Sequence, residues 1–239
     1  MLRRRYNPEL MDDRTISNER MARALKELKL VNRYLGGKAT TRQGIRLLQK
    51  TLPATQPLSI LDLGAGGADV FENVSHDVRI TAIDRNEAAC RYIRAHTPYA
   101  AVCGDVLQWP VKDRAFDIVH ASLFLHHFRE HDIRSILLTS LRSARYGVVV
   151  NDLRRSIVAY AGIKLLTVLF SKSDMVRHDG PLSVLRGFSR KELTDILHSC
   201  GIRQFIMKRT WAFRWLVVVL KSSIENRQFP IASVGDGTV

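Results

Sequence analysis

Hydrophobic positions along the chain change their spacing twice. Over residues 18–35 (NERMARALKELKLVNRYL), Met21, Leu25, Leu28, Val31 and Leu35 recur at helical intervals on one stripe. Ser17 stands where an N-cap belongs, and Gly36-Gly37 where a helix stops. A second short helix is expected over 41–51, and Pro53 and Pro57 bracket a loop. From Leu58 the pattern turns to short apolar runs, separated by glycines, acids and helix-period stretches. LSILDL (58–63), VRITAID (78–84), YAAVCGD (99–105), FDIVHAS (116–122) and YGVVVND (146–152) read as five strands. Helices are expected over 86–96 and 130–142. Apolar strands alternating with helices imply βαβ units and a parallel sheet buried on both faces.

The last third carries a complete helix start. Ser189 and Glu192 form a capping box, with Phe188 and Leu193 as its hydrophobic staple. Gly201 ends that helix, and IRQFIMK (202–208) and AFRWLVVVL (212–220) read as two closing strands paired in a hairpin. The segment 153–188 exceeds a minimal βαβ count. It holds SIVAYAGIKLLTVLF, apolar around most of a helix, then SKSDMVRHDGPLSV, expected as a polar loop. At the carboxyl end of a strand, such an insert suits a lid over a lipophilic substrate. The expected layout is a helical cap (1–52), a core (53–152 and 189–220), a lid insert (153–188) and a loose tail (221–239).

Composition bounds the class. The chain has 239 residues, 46% apolar and 25% charged, which fits one sizeable soluble α/β domain. The net charge of +14 is concentrated early: residues 1–50 hold 13 Lys and Arg against 5 Asp and Glu. That surplus suggests contact with an anionic partner, whether a membrane surface, an acidic carrier or nucleic acid. Cys90, Cys103 and Cys200 are scattered and odd in number, which argues against a disulfide framework. No apolar stretch follows MLRRRYNPEL directly, and the longest apolar run, Ile157 to Phe170, is too short to span a bilayer. A cytoplasmic location is expected, at most peripheral to a membrane.

The strand ends carry the chemistry. In ILDLGAGGADV (60–70), Asp62 precedes Gly64-Ala65-Gly66. Asp84 ends the second strand and Asp105 follows the third. Ligands of open α/β sheets sit outside the carboxyl ends of the strands, so these residues share one crevice. A dinucleotide fingerprint would place its third glycine at position 69, where this chain has an aspartate. A phosphate cradle wants backbone donors and no acids. The turn therefore suits a cationic or neutral ligand bearing hydroxyls and an amine. Asp84, 22 residues after Asp62, stands where an acid meets a ribose diol, and Asp105 where an adenine amine would donate.

Taken in order, DLGAGGA, ID, GDV and FDIVHASLFLHHF resemble the class I S-adenosylmethionine-dependent methyltransferases. The likeness is nearest to the small-molecule branch that includes quinone-biosynthesis-type enzymes. It covers 58–152 strongly and the closing helix and hairpin more loosely. One departure is Ala68, where the family carries its third glycine. The resemblance implies an α/β, Rossmann-like, doubly wound sheet of seven strands, mostly parallel, with a closing antiparallel hairpin, a helical N-terminal cap and a helical lid. It implies S-adenosyl-L-methionine as cofactor and S-adenosyl-L-homocysteine as product. Gly64, Ala65 and Gly66 would line the methionine and ribose part. Asp84 would hold the ribose hydroxyls with Arg85 beside the adenine. Asp105 and the Val106 backbone would hold the ring, and Ala121 and Ser122 would lie by the methionine moiety. The stretch Tyr34-Leu35-Gly36-Gly37 resembles the segment that closes over the cofactor.

A hydroxyl acceptor must lose a proton, and histidine is the natural base near neutral pH. The candidates are His126, just after the fourth strand, and His178 in the insert, where Asp179 could orient it. Asn151 and Asp152 end the fifth strand, and they and Arg177 are candidate acceptor contacts. His127 and His131 have a metal-compatible i, i+4 spacing, but no third ligand is evident, so no metal is expected. The expected function is methyl transfer to a small lipophilic acceptor, at the hydroxyl of a phenolic, polyketide-like or quinone-precursor compound. The alternatives are a nucleic-acid methyltransferase, favoured by the basic start, and a non-catalytic module that keeps the cofactor pocket. Against the first, the fourth strand ends in Ala121-Ser122-Leu123-Phe124 and not in an N/D-P-P-Y/F signature.

Overall fold

The computed structural model describes residues 3–13, 15–52, 57–72, 74, 78–108 and 112–221. Pro53 and the expected loose tail beyond Lys221 lie outside the described residues. The strands are β1 (Leu58–Leu63), β2 (Val78–Asp84), β3 (Ala100–Cys103), β4 (Phe116–Ser122), β5 (Ala144–Leu153), β6 (Ile206–Thr210) and β7 (Arg214–Leu220). They form one sheet in the order β3-β2-β1-β4-β5-β7-β6. β1 to β5 run parallel, and β7 is antiparallel to both β5 and β6. This is the expected doubly wound sheet with its closing hairpin.

Helices cover both faces: α1 (Asn18–Tyr34), α2 (Gly37–Gln49), α3 (Glu87–His96), α4 (Glu130–Ser143), α5 (Ile157–Phe170), α6 (Asp174–Arg186) and α7 (Arg190–Ser199). Side chains alternate across the sheet. Leu61, Leu63, Val119, Val148, Val150, Val217 and Val219 pack with Ile133, Leu137 and Leu193 from α4 and α7. Ile60, Ile118, Val149, Leu216 and Val218 pack with Ile45 and Leu48 of α2 on the other face. Burying each of those two α2 residues contributes about 2 kcal/mol. The capping box is present, with Ser189 accepting from the Glu192 N–H and Glu192 accepting from the Ser189 N–H.

Three expectations change. The second helix begins at Gly37 and not at 41, because Gly36 takes the left-handed conformation (φ +76°) that separates it from α1. The third strand is only Ala100–Cys103. The largest change is in the insert: SKSDMVRHDGPLSV is not a loop but the start and body of α6. Ser173 caps it, accepting from the Val176 N–H, and Pro181 lies inside it. The proline removes one backbone donor, but tertiary packing overrides that cost. Met175, Val176 and Val184 are buried. At Gly180 a Cβ would lie 3.3 Å from both Ile163 and Thr167, so the glycine lets α6 approach α5 closely. On its outer side α5 exposes Ile157, Val158, Leu165, Leu166, Val168, Leu169 and Phe170. Among the described residues no helix is long and apolar enough to cross a membrane.

The residues before α1 form a strap across the carboxyl end of the sheet. The Arg5 N–H donates to the Leu185 carbonyl. Asp179 of α6 accepts from the Leu10 and Met11 N–H groups at 2.8 and 2.9 Å, holding a single 3₁₀ turn, Leu10–Asp12. Arg186, 3% exposed, is the joint. It donates to the carbonyls of His126 (3.2 Å), His127 (2.7 Å) and Asn7 (2.8 Å), and to the Asp12 carboxylate (3.3 Å). Much of the early positive charge is engaged in this way. Arg4 donates to the Arg186 and Phe128 carbonyls, Lys29 and Lys38 pair with Glu72, and Arg20 pairs with Asp174. Removing a buried charged partner leaves its counter-charge and carbonyls unpaired. Arg186→Met is therefore expected to lower unfolding free energy by about 3 kcal/mol in urea titrations. Amide exchange should also speed up across residues 5–13; unchanged exchange there would refute the strap.

Candidate functional site

A cavity opens where β1, β2 and β4 end, roofed by the strap, α1 and α6. Its floor is the glycine turn after β1. Gly64 has φ +60°, and a Cβ there would sit 1.9 Å from the Phe124 ring, so no other residue fits. Gly66 has φ +53° and donates its N–H to Asp84 Oδ2 at 2.9 Å, while Asp84 Oδ1 accepts from the Asn86 N–H at 2.8 Å. Those two donors aim the carboxylate at the cavity from the end of β2. Ala68 also adopts a left-handed backbone (φ +52°) and is fully buried against Ala82 and Ile93, which explains a small residue there.

The walls are acidic. Asp62, Asp69, Asp84 and Asp105 line the cavity, and the strap adds Glu9 and Asp12. Burial raises the carboxyl pKa of Asp62, Asp69 and Asp84. Asp62 is engaged by His120 Nδ1 at 2.7 Å, a pairing set by the β1–β4 register that places the two residues side by side. The His120 Nε2 lies 3.0 Å from Thr41 Oγ1. Asp69 accepts from Asn32 Nδ2 at 3.3 Å through Oδ1, while its buried Oδ2 has no partner. An orphaned buried carboxylate oxygen calls for a donor from a ligand. Asp105 Oδ1 accepts from the Leu107 N–H at 3.0 Å. Arg85, the arginine on the lining, pairs with Asp12 at 2.9 Å and so ties the strap to the end of β2. This excess of carboxylates opposes a phosphate and favours a ligand carrying positive charge and hydroxyls.

At the other end of the cavity lies a buried imidazole. His126, 1% exposed, holds its Nδ1 2.6 Å from Asp152 Oδ1, and its Nε2 has no hydrogen-bond partner. Burial alone would depress the imidazole, but the Asp152 and Glu9 carboxylates override it and lift the pKa to about 9. Asp152 is lowered in turn, its own burial outweighed by His126. His127 sits beside it with ring centroids 4.4 Å apart, its Nδ1 3.0 Å from Asp12 Oδ1. Glu9 and Asp12 are both lowered; in each, burial opposes the shift and the neighbouring His127 and Arg186 outweigh it.

Of the residues singled out in the sequence, Gly64, Ala65, Gly66, Asp84, Arg85, Asp105, Val106, Ser122 and His126 line this cavity. Others do not. Ala121, on β4, packs into the core on the α4 and α7 side of the sheet. Asn151 is fully buried and turned to the far side, donating to Gly37 O, Thr41 Oγ1 and Ser122 Oγ and accepting from Arg214. Asp152 lies behind His126 and orients it. Because the insert is helical, Arg177 points away and donates to Ser171 O, and His178 is 52% exposed, with only its Nδ1 turned to the buried Asp179. Tyr34 is exposed, and Leu25, Leu28 and Asn32 of α1 cover the cavity in place of the 34–37 stretch. The apolar helix α5 does not line the cavity; Val176, Asp179, Gly180 and Ser183 of α6 do. His131 is 92% exposed and remote from His127's partners.

Sequence reasoning missed Glu9, Asp12, Asn32 and Arg186, and used Asp69 only as an argument against a phosphate. The acids of NPELMDD, spaced E-x-x-D, were the available signal for the first two.

Comparison with known proteins agrees with this geometry. A family model described as a methyltransferase domain matches residues 60–174. The fold is similar to the plantazolicin methyltransferase BpumL, solved with a triazolic desmethylPZN analog and SAH. The TM-score is 0.64 at 13% identity, over 85% of this chain and 96% of that one. It is similar to human N-acetylserotonin methyltransferase in complex with SAM, with TM-score 0.59 at 15% identity, over 85% of this chain and 56% of that one. It is also similar to the magnesium protoporphyrin IX methyltransferase of Synechocystis PCC 6803 with bound SAH, with TM-score 0.51 at 15% identity, over 79% of this chain and 86% of that one. Residues 60–174 thus match a methyltransferase domain, and the strand order and strand-end acids are those that the resemblance to class I S-adenosylmethionine-dependent methyltransferases leads one to expect.

Proposed function

We propose that this methyltransferase moves a methyl group to the hydroxyl of a small lipophilic acceptor, of phenolic, polyketide-like or quinone-precursor type. The observation that carries the reading is the unpartnered, buried Nε2 of His126, aimed into the same cavity as the glycine turn. S-adenosylmethionine, when bound, supplies a methyl on a positively charged sulfur. Asp84 would accept from its ribose hydroxyls, Asp69 from its ammonium group, and Asp105 with Val106 would face its adenine. Proximity and orientation supply about 7–11 kcal/mol of such a displacement. The residues at the His126 end have a second task, since the acceptor hydroxyl must shed its proton there. His126 and Glu9 meet at that point. Leu25, Leu28, Val176 and Phe128 provide the apolar wall for the acceptor's body.

Asp84→Ala is expected to weaken S-adenosylmethionine binding about 10–100-fold by calorimetry. His126→Ala should leave that binding intact and slow methyl transfer about 100- to 10,000-fold. His178→Ala should leave both unchanged. Full activity in the His126 variant would sink the reading.

A lipophilic acceptor needs a route to the cavity, and we propose that the exposed apolar face of α5 rests on an anionic lipid surface. Seven large apolar side chains on that face, on a chain of net charge +14, fit a negatively charged membrane better than water. The protein is expected to float with phosphatidylglycerol vesicles, and Val168→Asp with Phe170→Asp should abolish flotation. Flotation unaffected by those changes, or a concentration-dependent dimer that they dissociate, would overturn the membrane assignment.

A further inference from the structure

Two imidazoles and one carboxylate converge on one point of the cavity wall, from positions more than a hundred residues apart. His126 Nε2 lies 3.5 Å from Glu9 Oε1, and His127 Nε2 lies 3.8 Å from Glu9 Oε2. One donor atom from each of the three residues falls within 4.8 Å of the other two. These separations are too long for good hydrogen bonds. Two ligands of one ion, each about 2.1 Å from it at a tetrahedral angle, stand about 3.4 Å apart. The spacing is that of co-ligands.

The remaining nitrogens support the same conclusion. Each imidazole has its Nδ1 on a carboxylate, His126 on Asp152 and His127 on Asp12. With each Nδ1 keeping its N–H on that carboxylate, a deprotonated Nε2 can offer its lone pair to an ion on the Glu9 side. Metal-binding histidines are oriented in this way by an acceptor on the far nitrogen. Ser183 Oγ donates to Glu9 Oε1 at 2.9 Å and fixes that carboxylate. Arg186 Nη1 lies 3.7 Å from Glu9 Oε1. His126 Nε2, deeply buried, is otherwise orphaned.

We propose that Glu9, His126 and His127 bind one divalent metal ion of the zinc class, which holds the acceptor's hydroxyl. The two-histidine, one-carboxylate set suits Zn²⁺, Mn²⁺ or Fe²⁺ and leaves coordination positions open to the cavity. The inference rests on the methyl-transfer reading above and narrows its acceptor. A hydroxyl with a second oxygen on the neighbouring carbon can fill two open positions, so the acceptor class is a catechol or an ortho-hydroxy carbonyl. On the ion the O–H bond becomes more acidic and its proton passes to water; the oxygen's electron pair then forms the new bond to the methyl carbon as the carbon–sulfur bond breaks and its pair stays on sulfur, leaving a neutral thioether. His126 Nε2 then holds the ion in place of a proton.

The test begins with full-length protein stripped by dipicolinate and titrated with Zn²⁺ in a calorimeter. One ion per chain is expected. Glu9→Gln, His126→Ala and His127→Ala should each weaken binding at least as much as loss of an orienting carboxylate in Asp12→Asn, which costs about 10–100-fold. His131→Ala should change nothing. Co²⁺ should give the visible absorption of a nitrogen- and oxygen-ligated ion, lost in the same variants. S-adenosylmethionine binding, retained in each variant, checks the fold. Absence of stoichiometric Zn²⁺ binding, or binding indifferent to Glu9→Gln and His127→Ala, would overturn the site. Methyl transfer that persists in the stripped protein would overturn the ion's role while leaving the functional reading in place. Zn²⁺ binding with the expected variant pattern, but no methylated acceptor, would uphold the site and reject the functional reading.

Discussion

The buried guanidinium of Arg186 is the constraint on which the site depends. Its planar fork meets the carbonyls that follow β4, the carbonyl of Asn7 and the carboxylate of Asp12 at once. A guanidinium presents its donors in fixed directions, so these partners cannot shift independently. The turn that carries His126 and His127, the strap that carries Glu9 and Asp12, and the end of α6 are thereby locked into one body. Neither the strap nor the turn has regular structure long enough to hold itself in place. The sheet positions the glycine-turn end of the cavity; Arg186 positions the His126 end.

The sheet was legible because its signals are local. β1, β2 and β4 begin and end where the apolar runs do, at 58–63, 78–84 and 116–122. β1 stops at Gly64 and β2 at Asp84, and the period of each run does not depend on a distant partner. α6 was not legible, because D-G-P near its middle reads as a turn. The helix survives on contacts outside its own sequence: Gly180 against α5, Asp179 against the strap, and Met175 and Val176 in a cluster with α1. Moving that segment from loop to helix turned His178 and Arg177 outward and brought Gly180 and Ser183 inward.

The site divides along the same line. Asp84 and Asp105 were readable because strand ends in an open α/β sheet face a common crevice. Glu9 was not, because nothing within its own neighbourhood makes it a site residue. It becomes one through contacts with residues 117 and 174 positions away in sequence, at His126 and Ser183. Asn151 illustrates the opposite error. A polar residue at a strand end was expected to face the ligand, but the pleat turns it to the α2 face, where four polar partners absorb it.

Charge links the two ends of the cavity. The acids that make the glycine turn unfit for a phosphate make it fit for a sulfonium and an ammonium group. Methyl transfer removes the positive charge from sulfur, so a site that selects by charge holds the spent cofactor less tightly than the fresh one. The carboxylates at the other end, Glu9, Asp12 and Asp152, are balanced differently: two imidazoles and Arg186 stand among them. There the protein supplies compensating positive charge itself, from Arg186 and from His126, whose pKa is lifted to about 9. The acids are thus left for a ligand to balance at the glycine turn, where Asp69 Oδ2 is buried without a partner, and are balanced by the protein itself at the His126 end.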